Sequence, residues 1–223
     1  MKVLIFGATG MLGQGVLRAC LADKDITLVQ TVGRTTTGQI HPKLREVAHA
    51  DLWNYASIED QLAGFDACFF CLGVSSNGIT PEQYERMTYD LTLAAGTTLA
   101  RLNPEMRFIY ISGKGTDANG ASHWAKVKGR TENALLALPF QAVMFRPAAI
   151  EPVHGEVSKT PSYRLFYKIV QPLKILTLLR RLLPAQITTT EELAKAMIAV
   201  ARYGSTQKII EGGDFAALAK QVN

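Results

Sequence analysis

Short apolar runs alternate along this chain with longer segments whose apolar residues return every three or four positions. The run KVLIF at 2–6 stops at Gly7, and ITLVQTV at 26–32 stops at Gly33. DACFFCL, MRFIYIS and FQAVMFR follow at 66–72, 106–112 and 140–146. Runs of this length, cut off by glycine, read as strands buried on both faces. REVAHA at 45–50 is a weaker strand and KIIEG at 208–212 a last one. Helical spacing predicts helices over 11–22, 81–102, 122–137 and 190–204. Thr80 before Pro81, with Glu82 in the first turn, is a strong helix start.

Strand alternating with helix implies parallel pairing through right-handed crossovers. The expected fold is α/β, a doubly wound parallel sheet of the Rossmann type with a small C-terminal helical lobe. From about 148 to 163 the pattern is broken by Pro152, Gly155 and Pro161, just after Pro147. One domain over 1–223 is therefore expected, with a small substrate or lid lobe at 148–187.

Composition narrows the class. The chain has 223 residues, is 48% hydrophobic and carries 24 Lys+Arg against 19 Asp+Glu, for a net charge of +5. This is an ordinary globular balance, and a modest basic excess suits an anionic small ligand. No Lys/Arg block resembles a nucleic-acid arm, so no nucleic-acid partner is expected. No apolar run is long enough to span a bilayer, and the short apolar N-terminus followed by glycines is no signal peptide. The expected location is cytoplasmic. Cys20, Cys68 and Cys71 are an odd number without framework spacing. Cys68 and Cys71 form a C-x-x-C, but inside a strand-like run they read as small core residues. His41, His49 and His154 show no metal-ligand spacing, and no metal is expected.

The stretch FGATGMLGQG sets Gly7, Gly10 and Gly13 between the first strand and the first helix. The first glycine permits a tight turn, the second a close approach to a pyrophosphate, and the third the packing of helix on sheet. Thr9, Met11 and Leu12 lie in the same turn, where a helix N-terminus offers free N–H groups to phosphate. The end of the second strand distinguishes the nicotinamide nucleotides. An acid there binds ribose hydroxyls, whereas an arginine suits a 2′-phosphate. This chain reads QTVGRTTTG, with Arg34 directly after Gly33 and hydroxyls at Thr35 and Thr36. NADP, with NADPH preferred over NADH, is the expected cofactor.

On these residues the chain resembles the short-chain dehydrogenase/reductase superfamily, most of all its atypical and extended members. These are the NAD(P)H-binding proteins grouped with NmrA-like proteins and sugar-nucleotide epimerases. The resemblance is close over 1 to about 150 and looser beyond. It implies that Asp51 and Leu52 contact adenine, and that Cys71, Leu72 and Gly73 line adenine and ribose. It further implies Ser112 as the catalytic serine, Lys128 on the nicotinamide ribose, and Arg146-Pro147 beside the nicotinamide. Taken alone, Ser112 could equally end a strand and Lys128 could be a surface lysine.

The departure is Trp124, four residues before Lys128, where the resemblance places a catalytic tyrosine. Indole donates a hydrogen bond but does not exchange its proton near neutral pH. His123 has a suitable pKa range, yet it lies about 100° around the helix from Trp124. Tyr84, Tyr89, Tyr110 and Lys126 read as packing or surface residues. The expectation is a reductase of a flat acceptor such as a quinone or flavin, with Trp124 as a stacking wall. A non-catalytic redox sensor or assembly factor is the alternative, and sugar-nucleotide epimerase or dehydratase chemistry a third. The apolar stretch at 163–183, interrupted by Arg164, Lys168, Lys174, Arg180 and Arg181, reads as core helices broken at Pro172 or as a lid, a homodimer face or a peripheral membrane contact.

Overall fold

The computed structural model describes residues 1–158, 160–170, 175–183 and 185–222. A parallel sheet is built from β1 (Lys2–Phe6), β2 (Leu28–Gly33), β3 (Leu44–Ala48), β4 (Ala67–Phe70), β5 (Arg107–Ile111) and β6 (Gln141–Arg146). A separate pair, β7 (Ala149–Glu151) and β8 (Ile187–Thr189), runs parallel beside it, and β9 (Ile209–Glu211) closes the far edge. The seven-stranded sheet has the order β3-β2-β1-β4-β5-β6-β9. This places the first crossover reversal between β1 and β4, where an open α/β sheet binds its ligand.

The helices are α1 (Met11–Ala22), α2 (Glu59–Leu62), α3 (Pro81–Glu85), α4 (Leu91–Leu102), α5 (His123–Leu136), α6 (Pro161–Val170), α7 (Ile175–Leu182), α8 (Thr190–Tyr203) and α9 (Asp214–Ala219). The long helix expected over 81–102 is present, but Arg86–Asp90 between α3 and α4 is wound as a π-helical turn. Its start is a capping box in which Thr80 and Gln83 satisfy each other's backbone N–H groups.

Strand alternation divides the core in two. Val3, Ile5, Phe69, Ile109 and Phe145 face a cluster with Val16 and Leu17 of α1, Met197 and Val200 of α8 and Phe215 of α9. Leu4, Phe6, Cys68, Phe70, Phe108, Tyr110 and Met144 face the opposite cluster with Leu91 and Leu99 of α4 and Leu135 of α5. Consecutive residues of one strand thus serve different cores, which is why these runs are apolar throughout.

The irregular segment after β6 is held by one carboxylate. Glu156 is buried and accepts from Arg18 of α1, from Thr190 Oγ1 at 3.1 Å and from the His154 backbone N–H at 2.9 Å. The expected irregularity over 148–163 hides β7, whose partner β8 lies beyond the two lobe helices. Pro172, Leu173 and Lys174 fall outside the described residues.

Candidate functional site

The turn between β1 and α1 is closed too tightly for side chains. Gly7 has φ 83°, a region that favours glycine, and a Cβ there would stand 2.8 Å from the Cys71 carbonyl carbon. A Cβ on Gly13 would lie 2.0 Å from the Gly7 carbonyl oxygen. The Gly10 amide donates to that same oxygen at 2.9 Å. At the start of α1, Gly10 offers no side-chain cap and the first turn contains no acid. The first-turn N–H groups therefore meet no negative side chain, an arrangement suited to an anion.

Next to this turn opens a cavity of about 770 Å³. Gly7, Thr9, Gly10, Met11 and Leu12 form one wall, Arg34 and Thr35 a second, and Leu52 with Cys71, Leu72 and Gly73 a third. Among the described residues Arg34 is the lone charged side chain in the lining. The nearby Glu46 carboxylate is turned to the backbone, accepting from the Thr37 N–H at 2.6 Å and from Thr31 Oγ1 at 3.3 Å. Asp51 does not line the cavity. Its carboxylate accepts from the Trp53 N–H at 3.0 Å and so sets the turn that brings Leu52 and Trp53 to the wall. Met87 and Leu91, spaced by the π-helical turn, complete the side, and Ser158 and Thr160 reach the rim from the C-terminal lobe. Trp53, Met87, Leu91, Ser158 and Thr160 were not singled out from the sequence, where nothing but the adjacency of Trp53 to Leu52 marked any of them.

Cys71 is the half-buried thiol of this wall, and burial pushes its pKa up to about 12. Cys68 belongs to the core on the opposite face of the sheet and is likewise pushed up by burial. Neither behaves as a low-pKa redox cysteine.

Ser112, Lys128, Trp124, Arg146 and Pro147 gather at the ends of β5, α5 and β6, outside the lining of that cavity. Ser112 continues the parity of Phe108 and Tyr110, and Arg146 that of Met144, so both side chains turn towards α5. There they meet Glu132, which is buried. Ser112 Oγ donates to Glu132 Oε1 at 2.5 Å. Arg146 donates through Nε at 3.0 Å and through its terminal nitrogen at 2.5 Å, a bidentate pair. Glu132 is a site residue the sequence reading missed; its only signal was the four-residue spacing from Lys128 on one helical face.

Lys128 Nζ donates to the Ser112 carbonyl oxygen. Burial pushes this ammonium down to about 8, against the opposing pull of Glu132. Trp124 is half-buried on the same side of α5, and its ring lies over Gly115, where a Cβ would be 3.4 Å from the indole. Gly115, with φ 85°, belongs to the turn that follows β5. His123 points elsewhere, with Nε2 3.1 Å from the Pro81 carbonyl oxygen and its ring near Tyr84. Tyr110 is sealed in the core, and burial raises its phenol far above the ordinary range. Tyr89 lies under the Arg130 guanidinium at 5.0 Å.

The chain is 28% identical over 138 residues to the Leucinostatins biosynthesis cluster protein T of Purpureocillium lilacinum, covering 60% of this chain and 51% of that protein. It is 26% identical over 149 residues to Protein FMP52-2, mitochondrial, of Scheffersomyces stipitis, covering 66% of this chain and 65% of that one. The matches thus span between half and two-thirds of those relatives. Among solved structures it resembles a UDP-N-acetylglucosamine 4-epimerase from Methanobrevibacter ruminantium, with TM-score 0.69, 18% identity and coverage of 93% and 74% of the two chains. It also resembles Bordetella bronchiseptica WbmF in complex with NAD+, with TM-score 0.69, 15% identity and coverage of 99% and 77%. An oxidoreductase of the short-chain dehydrogenase/reductase family from Burkholderia thailandensis has TM-score 0.65, 16% identity and coverage of 97% and 92%. These likenesses show the fold. Residues 3–133, from β1 through most of α5, match the NAD dependent epimerase/dehydratase family, and the chain belongs to that family.

Proposed function

We propose that this protein binds NADPH in preference to NADH and reduces a flat acceptor such as a quinone or a flavin. The observation that carries the reductase reading is Trp124, one turn before Lys128, packed over the Gly115 turn where an acidic hydroxyl would be needed. Arg34 supports the cofactor preference as the lone charged group among the described residues of the cavity lining. In this reading the glycine turn and the N-terminus of α1 hold the pyrophosphate, Arg34 pairs with the 2′-phosphate, and Lys128 donates to the ribose of the nicotinamide. When bound, the reduced nicotinamide supplies a hydride. The indole of Trp124 offers a flat wall for the acceptor. A quinone or flavin that accepts the hydride becomes a resonance-stabilised anion, which takes a proton from water, so no side-chain acid is required. A ketone needs one, and general-acid assistance is worth about 10²–10⁴-fold.

A second reading, a non-catalytic NADP(H) sensor or assembly factor, is favoured by the Ser112 hydroxyl, which is committed to Glu132. Sugar-nucleotide epimerisation or dehydration is disfavoured, since it demands acid–base work on a hydroxyl while Tyr110 is in the core and His123 is turned to Pro81. A cytoplasmic location is part of this reading, although the FMP52 relatives carry "mitochondrial" in their names. No helix among the described residues is long and apolar enough to cross a membrane.

The test pairs wild type with Trp124→Tyr, using NADPH against a quinone and a simple ketone. Wild type should reduce the quinone, and the tyrosine variant should gain chiefly on the ketone. Tight NADPH binding with no turnover across a broad acceptor panel gives the sensor reading the advantage. Arg34→Glu should weaken NADPH binding by roughly 2–4 kcal/mol. Equal wild-type affinity for NADPH and NADH, by titration of nicotinamide fluorescence, removes the cofactor preference.

A further inference from the structure

Helix α7 is amphipathic in the reverse sense for a water-facing surface. Its inner side carries Leu176, Thr177 and Arg180: the Thr177 hydroxyl donates to Glu151, and Arg180 donates to Glu192 of α8 at 2.9 Å. Its outer side carries Ile175, Leu178, Leu179 and Leu182, all exposed, the last to 73%. Helix α6 repeats the arrangement. Tyr167 donates to the Ile150 carbonyl at 2.7 Å and Val170 is buried, while Leu165, Phe166 and Ile169 face outward. Exposed apolar stripes of this kind on two neighbouring helices of the chain call for a cover.

Charge identifies the cover. The segment 157–190 holds six Lys and Arg and no Asp or Glu, leaving 18 cations against 19 acids in the rest of the chain. The whole basic excess of the protein therefore belongs to the lobe that carries the apolar face. Arg164 and Lys168 share one side of α6 next to the Leu165–Ile169 stripe, and Arg181 flanks the outer face of α7; all three are exposed. A second copy of this lobe would set cations against cations with no carboxylate between them. Closure onto the cavity is opposed by the inner side of α7, which is already bound to Glu151 and Glu192.

We propose that α6 and α7 form an interfacial dock for an anionic lipid bilayer, with the leucines and phenylalanine entering the acyl boundary and the cations meeting the headgroups. Ser158 and Thr160 rim the nucleotide cavity immediately before α6, so docking brings that rim to the membrane. Access to a lipid-dissolved acceptor would follow from this and rests on the reductase reading; the docking itself does not.

The experiment is co-sedimentation of the full chain with vesicles of equimolar phosphatidylcholine and phosphatidylglycerol, against phosphatidylcholine alone, at low and high salt. Retention on the anionic vesicles should fall about tenfold or more on the neutral ones, at high salt, in Leu178→Ser/Leu182→Ser and in Arg164→Gln/Lys168→Gln/Arg181→Gln. Light scattering and NADPH titration accompany each sample. A monomer left in the supernatant with anionic vesicles at low salt overturns the dock. So does a dimer that the leucine variant dissolves while vesicles retain nothing, which would give the face to a second copy. Vesicle binding without nicotinamide nucleotide binding leaves the dock standing and removes the reductase reading.

Discussion

The glycine turn at residues 7–13 and the lobe at 161–183 hold their places by opposite means. In the turn, backbone meets backbone: Gly13 rests on the Gly7 carbonyl and Gly7 on Cys71, with no room for a single added carbon. In the lobe, α6 and α7 touch the body through few apolar side chains, with Val170, Leu176 and Ile187 as the buried centre of a small cluster. Polar pairs to Glu151 and Glu192 supply much of the remaining attachment, and most of the large apolar residues look outward. Where close packing surrounds a residue, its shape decides stability; where one side is open, its chemistry is available to a partner.

Substitution should expose this contrast most strongly at Gly13. Gly13→Ala drives a methyl into the Gly7 carbonyl and should cost about 3 kcal/mol or more in urea denaturation, with loss of nucleotide binding. A cost below about 1 kcal/mol would mean that the turn yields far more readily than its contacts imply. Glu132→Ala comes next. It removes a buried carboxylate that holds Ser112 and Arg146, leaving Arg146 with the more exposed Glu211, and should cost about 3 kcal/mol. Glu132→Gln keeps the shape and should lose less.

Lys128 sharpens the comparison from the other direction, because its charge opposes folding. Its folded pKa of about 8 lies below the ordinary 10.5, so the unfolded chain binds the additional proton between those values. Its contribution to stability is therefore least favourable below about pH 8, improves as pH rises through that window, and levels off above pH 10.5. Lys128→Met should stabilise the protein by about 1–2 kcal/mol at pH 7, with the gain shrinking towards pH 10.5, while weakening NADPH binding. Equal destabilisation at both pH values would show that the lysine is a structural hydrogen-bond donor alone. The smallest effect belongs to the lobe: Leu178→Ser/Leu182→Ser should change stability by less than about 0.5 kcal/mol, since both side chains already face solvent. A loss of several kcal/mol would return that face to the core.

Much of the architecture was legible because it is written locally. Apolar runs that stop at Gly7 and Gly33 announce buried strands, and Thr80-Pro81 announces a helix start. The 7–10–13 glycine spacing carries its own steric reason, and Gly7, Gly10 and Arg34 do line one cavity. Strand β7 was hidden because three residues have no readable period and their partner lies past the lobe. Glu132 was hidden because a glutamate in a helix ordinarily reads as solvated; only the arrival of Arg146 from β6 gives it a buried role. Ser112 and Trp124 could be aligned with chemistry, but the parity of β5 turns the serine inward to Glu132, and the turn at Gly115 gives the indole its seat.

By itself the sequence determined which residues share a strand face or a helix face, and where the tight glycine turn between β1 and α1 lies. Those are consequences of backbone period and side-chain identity within a few residues. Only the tertiary structure decided which way each face looks: that α7 turns Leu178, Leu179 and Leu182 out while Thr177 and Arg180 pair with Glu151 and Glu192, that Asp51 sets a turn instead of lining the cavity, and that Glu132 unites Ser112 and Arg146. Periodicity specifies a face without naming its partner. The partner is chosen by packing and by buried charge between segments distant along the chain.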